Sequence, residues 1–166
     1  MVVAQASGLD VFGAIARWTA DAFSFGDVST LAASDIEEQL FYTEPDKTVP
    51  EEYKELQTEL KHRGFPLYFP EIPEGFELVD NFLYSNCYLR ESDMIGLAVN
   101  QNIETPEKIY EKDDSPVEEY LYNGVMHYLF TNLDNQVAVW IVGDLEYSIS
   151  TTLSKDELKE LVQSVY

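Results

Sequence analysis

The final third of the chain, residues 117–166, alternates strand and turn and closes with one helix, and this pattern leaves few folds open. Asn123-Gly124 separates two apolar-alternating runs, 117–122 and 125–131. Both residues tolerate positive φ, so the pair predicts a tight type I′ hairpin. Leu133-Asp134-Asn135 turns the chain into a third run, 136–142, and Gly143-Asp144 turns it into a fourth, 145–151. The result is an antiparallel meander of four strands. Ser154 and Glu157 then have capping-box spacing, with Leu153 and Leu158 placed as a hydrophobic staple. Leu158, Leu161, Val162 and Val165 recur at i, i+3, i+4 and i+7, one apolar helical face that should dock on the meander.

Upstream the signals alternate between helix and strand. Residues 10–23 have helical spacing through Val11, Ile15, Thr19 and Ala22, with Asp10 as N-cap and Gly26 as stop. Trp18 and Arg17 on its flank suit either packing on the domain or a membrane–water interface. Ser34-Asp35-Ile36-Glu37 fits a second capping box, opening a short turn that Pro45 ends. Residues 49–63 predict a further helix. Pro50 sits in its first turn, Glu51 and Glu52 at its positive end, Lys61, His62 and Arg63 at its negative end, and Gly64 just past it. Pro66, Pro70 and Pro73 forbid helix over 65–75, which reads as an extended connector with aromatics packed inward. From residue 76 the period shifts toward two. Strands are expected over 76–85, 87–91 and 94–101, the last two joined through Glu91-Ser92-Asp93. Residues 104–114 fit either a helical turn or an edge strand. The fold class is therefore α+β: an antiparallel meander sheet packed by a C-terminal helix and N-terminal helices. Its segments are 1–30 (an N-terminal or juxtamembrane helix), 31–72 (a helical subregion and connector) and 73–166 (sheet plus helix).

Chemistry leaves a fainter trace. Thirty-one Asp and Glu against ten Lys and Arg give a net charge of −21, which repels phosphate backbones and anionic lipid surfaces. Nucleic acid is excluded as a natural partner, while cationic peptides and polyamines fit. The chain has no Gly-rich phosphate loop and no nucleophile elbow. His62 and His127 are far apart and share no metal-ligand spacing. Glu111-Lys112-Asp113-Asp114 lacks the alternation and central Gly of a calcium loop and reads as a turn. Cys87 is the only cysteine and reads as a structural thiol in a strand. No catalytic, cofactor-binding or metal-ligating residue is assigned, and the chain is read as a non-enzyme. The one candidate binding face is aromatic: Tyr84, Tyr88, Tyr120, Tyr122, Tyr128 and Tyr147, all on or beside expected strands. Tyr in that setting lines a groove or packs with its hydroxyl at the rim.

Over residues 73–165 the chain resembles the DUF4367 family. The matching marks are Pro73-Glu74-Gly75-Phe76, Val117-Glu118-Glu119, Asn123-Gly124-Val125, Trp140, Gly143, Tyr147, and Leu153-Ser154 with Glu157-Leu158. Ile141-Val142 departs from the pattern, which has a more polar residue after the Trp. The resemblance implies a curled antiparallel sheet with a C-terminal helix, and brings no catalytic residues. It also implies the extracytoplasmic part of a single-pass, anti-sigma-like regulator of Gram-positive bacteria, sensing or binding an unknown protein, peptide or envelope ligand. On that basis Met1–Gly8 reads as the end of a membrane span, the only expected membrane contact. Two other roles are compatible with the residues. One is a lipid or glycan carrier with a cleft between sheet and helix, and the other, less favoured, a hydrolase built on two carboxylates in one cleft.

Overall fold

A computed structural model describes residues 5–9, 15–26, 47–101, 108–143 and 145–166. Eleven strands and two helices run in the order β1 (Gln5–Leu9), β2 (Ile15–Trp18), β3 (Ala22–Gly26), α1 (Lys54–His62), β4 (Glu77–Phe82), β5 (Ser85–Arg90), β6 (Asp93–Gln101), β7 (Ile109–Glu111), β8 (Glu118–Tyr122), β9 (Val125–Asn132), β10 (Asn135–Val142), β11 (Leu145–Thr151) and α2 (Lys155–Ser164). They form an antiparallel sheet of seven strands, ordered β4-β5-β6-β11-β10-β9-β8, and a smaller one ordered β1-β2-β3-β7. The α+β class and the meander β8–β11 agree with the sequence reading. A second meander, β4–β6, joins it through β6 and β11, whose side-by-side register runs from Leu145↔Gln101 to Thr151↔Ile95.

The large sheet separates two cores. On one face α1, α2 and the connector pack over Leu97, Val99, Leu129, Trp140, Tyr147 and Ile149. Trp140 and Tyr147 are cross-strand partners whose rings stack at 5.5 Å. Leu67, Tyr68 and Phe69 of the connector are buried there, as the spacing of prolines and aromatics suggests. On the other face the small sheet contributes Ala16, Phe23 and Phe25 to a cluster with Tyr128, Phe130, Val137, Val139 and Ile141.

The helix termini follow local chemistry. Ser154 Oγ accepts from the Glu157 N–H at 3.3 Å, and the Glu157 carboxylate accepts from the Ser154 N–H at 2.9 Å, completing the expected box. Leu153 and Leu158 are both buried. At the end of α1, Gly64 takes φ +79, Phe65 N–H donates to Leu60 C=O at 3.0 Å, and Gly64 N–H donates to Lys61 C=O at 3.1 Å. That pair of bonds is a Schellman motif, which only a residue free to enter the left-handed region closes cheaply. Asn123 and Gly124 take φ 49 and 77, as a type I′ turn requires.

Four expectations change. The helix over residues 10–23 is not formed where the chain is described: β2 and β3 make a hairpin there, with Trp18 opposite Phe23. Helical spacing lost to a period of two because Ala16, Phe23 and Phe25 bury against the large sheet on alternate positions. The turn between them is held by Thr19, whose Oγ1 accepts from the Ala22 N–H and donates to Asp21. The single strand over 76–85 breaks at Leu83-Tyr84 into the β4–β5 hairpin. Residues 109–111, left open between turn and strand, are strand β7, paired with β3. The capping box at Ser34–Glu37 and residues 1–4 lie outside the described residues, but residues 5–8, expected with them to end a membrane-spanning helix, belong to strand β1, paired with β2. No described helix is long and apolar enough to cross a membrane.

Candidate functional site

The six tyrosines do not share one surface. Tyr88 and Tyr147 are buried in the helix-side core, and Tyr128 is buried in the opposite core under the small sheet. Tyr88 Oη donates to a Glu52 carboxylate oxygen at 3.1 Å and accepts from Tyr53 Oη at 2.9 Å, while Tyr147 Oη donates to the Pro66 carbonyl at 3.3 Å. Burial raises the pKa of Tyr88 and Tyr147, keeping both as neutral phenols. Tyr84 packs half-buried at the margin of the helix-side core. Only Tyr120 and Tyr122 sit together, their rings stacked at 6.2 Å beside Tyr166 and His127 at the β8 edge. The amphipathic packing role of Tyr accounts for the buried three.

A different surface stands open. The small sheet packs over β9 and β10, and the β4–β5–β6 half of the same face, which no described element covers, carries a groove of about 270 Å³. Its floor follows from register. Ser85 lies opposite Ala98, and Ala98 opposite Ser148; Cys87 lies opposite Gly96, and Gly96 opposite Ser150. Two adjacent rows of three small residues thus cross β5, β6 and β11. In the same rows, past β11, stand Val139 and Val137, then Tyr128 and Phe130. Side-chain volume therefore jumps where the small sheet begins. Asp80 and Phe82 of β4 form the outer wall, with Phe82 66% exposed.

A polar cluster ends the groove toward β7. Glu146 lies opposite Asn100, one step beyond the row of Ala98 and Ser148, and is buried. Tyr110 Oη donates to its carboxylate at 2.5 Å. Desolvation raises the Glu146 pKa, an effect that the Tyr110 hydrogen bond and the nearby Lys108 charge oppose. Lys108 stacks on the Tyr110 ring at 4.5 Å, and burial lowers its pKa. Cys87 is half-buried on the floor; desolvation, then the Asp80 charge, raise its pKa and keep the thiol protonated.

The groove does not bring the carboxylates at its two ends together. Asp80 and Glu146 are separated by three strand spacings and about four residues along the strands, roughly 20 Å, against the 5 to 9.5 Å of glycosidase pairs. Among the described residues no group of three His, Cys, Asp or Glu could hold a metal ion. Asp113 accepts from the Ser115 N–H at 2.9 Å and from Thr131 Oγ1 at 2.5 Å, so it pins its turn to β9.

Sequence reasoning passed over the groove, although its signal is present. On β6 and β11 the odd positions are large (Ile95, Leu97, Val99; Tyr147, Ile149) and the even ones small (Gly96, Ala98; Ser148, Ser150). That alternation marks a strand with one packed face and one bare face.

No curated protein matches the chain, and no solved structure does. The family model described as "Domain of unknown function (DUF4367)" matches residues 66–165, which include the connector, all seven strands of the large sheet, and α2. The groove floor and wall lie wholly within that match, whereas β1–β3 lie outside it. The chain belongs to the DUF4367 family.

Proposed function

We propose that this is a non-enzymatic interaction domain, the extracytoplasmic sensing part of a membrane-anchored, anti-sigma-like regulator, which takes its ligand on the uncovered half of the large sheet. The observation that carries the binding role is the groove: one sheet face is covered over β9 and β10 and, among the described residues, uncovered over β4–β6, with a floor of small side chains. An open sheet face next to exposed Phe82 and Leu89 is the kind of surface that marks a recognition site. The placement outside the membrane rests on the sequence resemblance, and a strongly acidic surface suits a domain anchored near, but not lying on, an anionic bilayer.

A groove ligand fits better than a lipid carried between sheet and helices. The helix-side space is filled by Trp140, Tyr147, Leu158 and Val162, each fully buried. Two measurements test the reading in the full-length protein in its native cells. A membrane-impermeant maleimide should label an exposed thiol, Leu133→Cys in a Cys87→Ser background, on intact cells; labelling only after lysis would sink the placement. Ala98→Trp should fill the groove and alter the regulated transcripts. A folded Ala98→Trp protein that regulates as wild type would sink the binding role.

A further inference from the structure

We propose that the outer edge of β4 accepts, as an eighth strand, an extended Lys- or Arg-bearing segment of a partner protein, whose alternate side chains lie over the groove. This rests on the reading of the open half-sheet as the binding face and names the class of its partner.

The two edges of the large sheet are treated differently. At β8, Lys155 and Lys159 of α2 both reach Glu118, at 3.2 and 2.6 Å, and Gln163 donates to Tyr120 Oη at 2.7 Å. Charged side chains laid along an edge are a standard guard against strand addition. At β4 no described strand pairs on the outer side, and all six residues are exposed. Leu78, Val79 and Phe82 are 40%, 48% and 66% exposed. Glu77, Asp80 and the bulge between them discourage pairing with a like strand, but no described element covers the β4 edge, and an open edge beside a groove supplies both parts of strand-addition recognition, main-chain partners and a place for alternate side chains.

The chemistry of the partner follows from a bulge. Glu77 pairs with Leu89 and Asp80 with Cys87, and the register shifts between Leu78 and Asp80. Leu89 and Cys87 are two apart on β5 and share the groove face. The extra residue therefore brings Glu77 and Asp80, three apart in sequence, onto that same face, joined there by Phe82 opposite Ser85. A strand added to β4 meets carboxylate, carboxylate and phenyl in succession. Basic side chains complement the first two and an apolar one the third. A second copy of this chain is a poor occupant: it would set Glu77 and Asp80 against their own kind and bring together two surfaces of charge −21.

The test uses the whole chain and a capped peptide of about eight residues alternating Lys with Val or Thr, matching the usual strand length. Two isomers carry N-methyl groups on one or the other alternate set of residues, which removes the N–H groups of one edge at constant charge. Binding is followed by NMR titration. The expected result is binding with shifts concentrated in β4 and β5, loss of affinity for one isomer only, and a weakening of about tenfold in Glu77→Gln/Asp80→Asn, two cross-strand charge pairs at the upper end of their range. No binding, equal behaviour of the two isomers, shifts centred elsewhere, or an unaffected double variant each overturns the proposal. Peptide binding that fails while Ala98→Trp still alters regulation refutes the added strand alone. Peptide binding at β4 with normal regulation in Ala98→Trp refutes the groove as the functional site and leaves the strand.

Discussion

His127 should make this fold sensitive to mild acid, and the size of the effect follows from its surroundings. The imidazole is fully buried, its ring 5.1 Å from that of Trp140. Nδ1 lies 3.2 Å from the Tyr120 carbonyl and Nε2 3.0 Å from Tyr166 Oη. A carbonyl only accepts, so Nδ1 carries the proton and Nε2 accepts from the Tyr166 hydroxyl. Burial disfavours the imidazolium and lowers the pKa from 6.5 to about 4, against the smaller upward pull of backbone acceptors at Tyr120 and Val125. In the unfolded chain the same group titrates near 6.5. Between these values the unfolded state binds the proton and the folded state does not, so stability is full above about pH 6.5 and falls with pH toward 4. From pH 7 to pH 5 the difference amounts to about 2 kcal/mol, and down to pH 4 to about 3 kcal/mol. The assay is urea unfolding of wild type and His127→Gln at both pH values. The variant keeps every other titrating group, so Asp113, Glu118 and Glu157, all lowered in pKa, cancel in the comparison. Wild type should lose about 2 kcal/mol more than the variant between pH 7 and pH 5. An equal loss in both proteins, or a His127 resonance titrating near 6.5, refutes the reasoning.

Glu146 should act with the opposite sign: its folded pKa is raised, so its contribution is greatest when it is protonated and declines as pH rises through the carboxylate range. The stability of wild type relative to Glu146→Gln, from the same unfolding curves, should therefore fall between pH 4 and pH 7. Ser154→Ala removes the N-cap acceptor of α2 and should cost about 1 kcal/mol in denaturant unfolding. Leu158→Ala, one residue of the same box and staple but fully buried, should cost about 2 to 5 kcal/mol. Gly124→Ala meets no neighbour within 4 Å, so its loss, about 1 kcal/mol, reports the positive φ alone.

What was legible in the sequence is what short-range chemistry decides. The Asn123-Gly124 hairpin, the Ser154–Glu157 box, the Gly64 stop and the proline connector are each settled by a few neighbouring residues, because turns and caps are satisfied locally. Tertiary structure decided the rest. Residues 15–26 chose strand over their helical spacing because Ala16, Phe23 and Phe25 found the large sheet to bury against. Tyrosines on neighbouring strands went to opposite cores, since the face that each occupies depends on register and not on residue type. The groove exists because β6 meets β11, strands more than forty residues apart, so that Gly96, Ala98, Ser148 and Ser150 fall side by side. A chain determines its turns and caps by itself; which small residues share a face, and whether anything covers them, is settled only when distant strands pair.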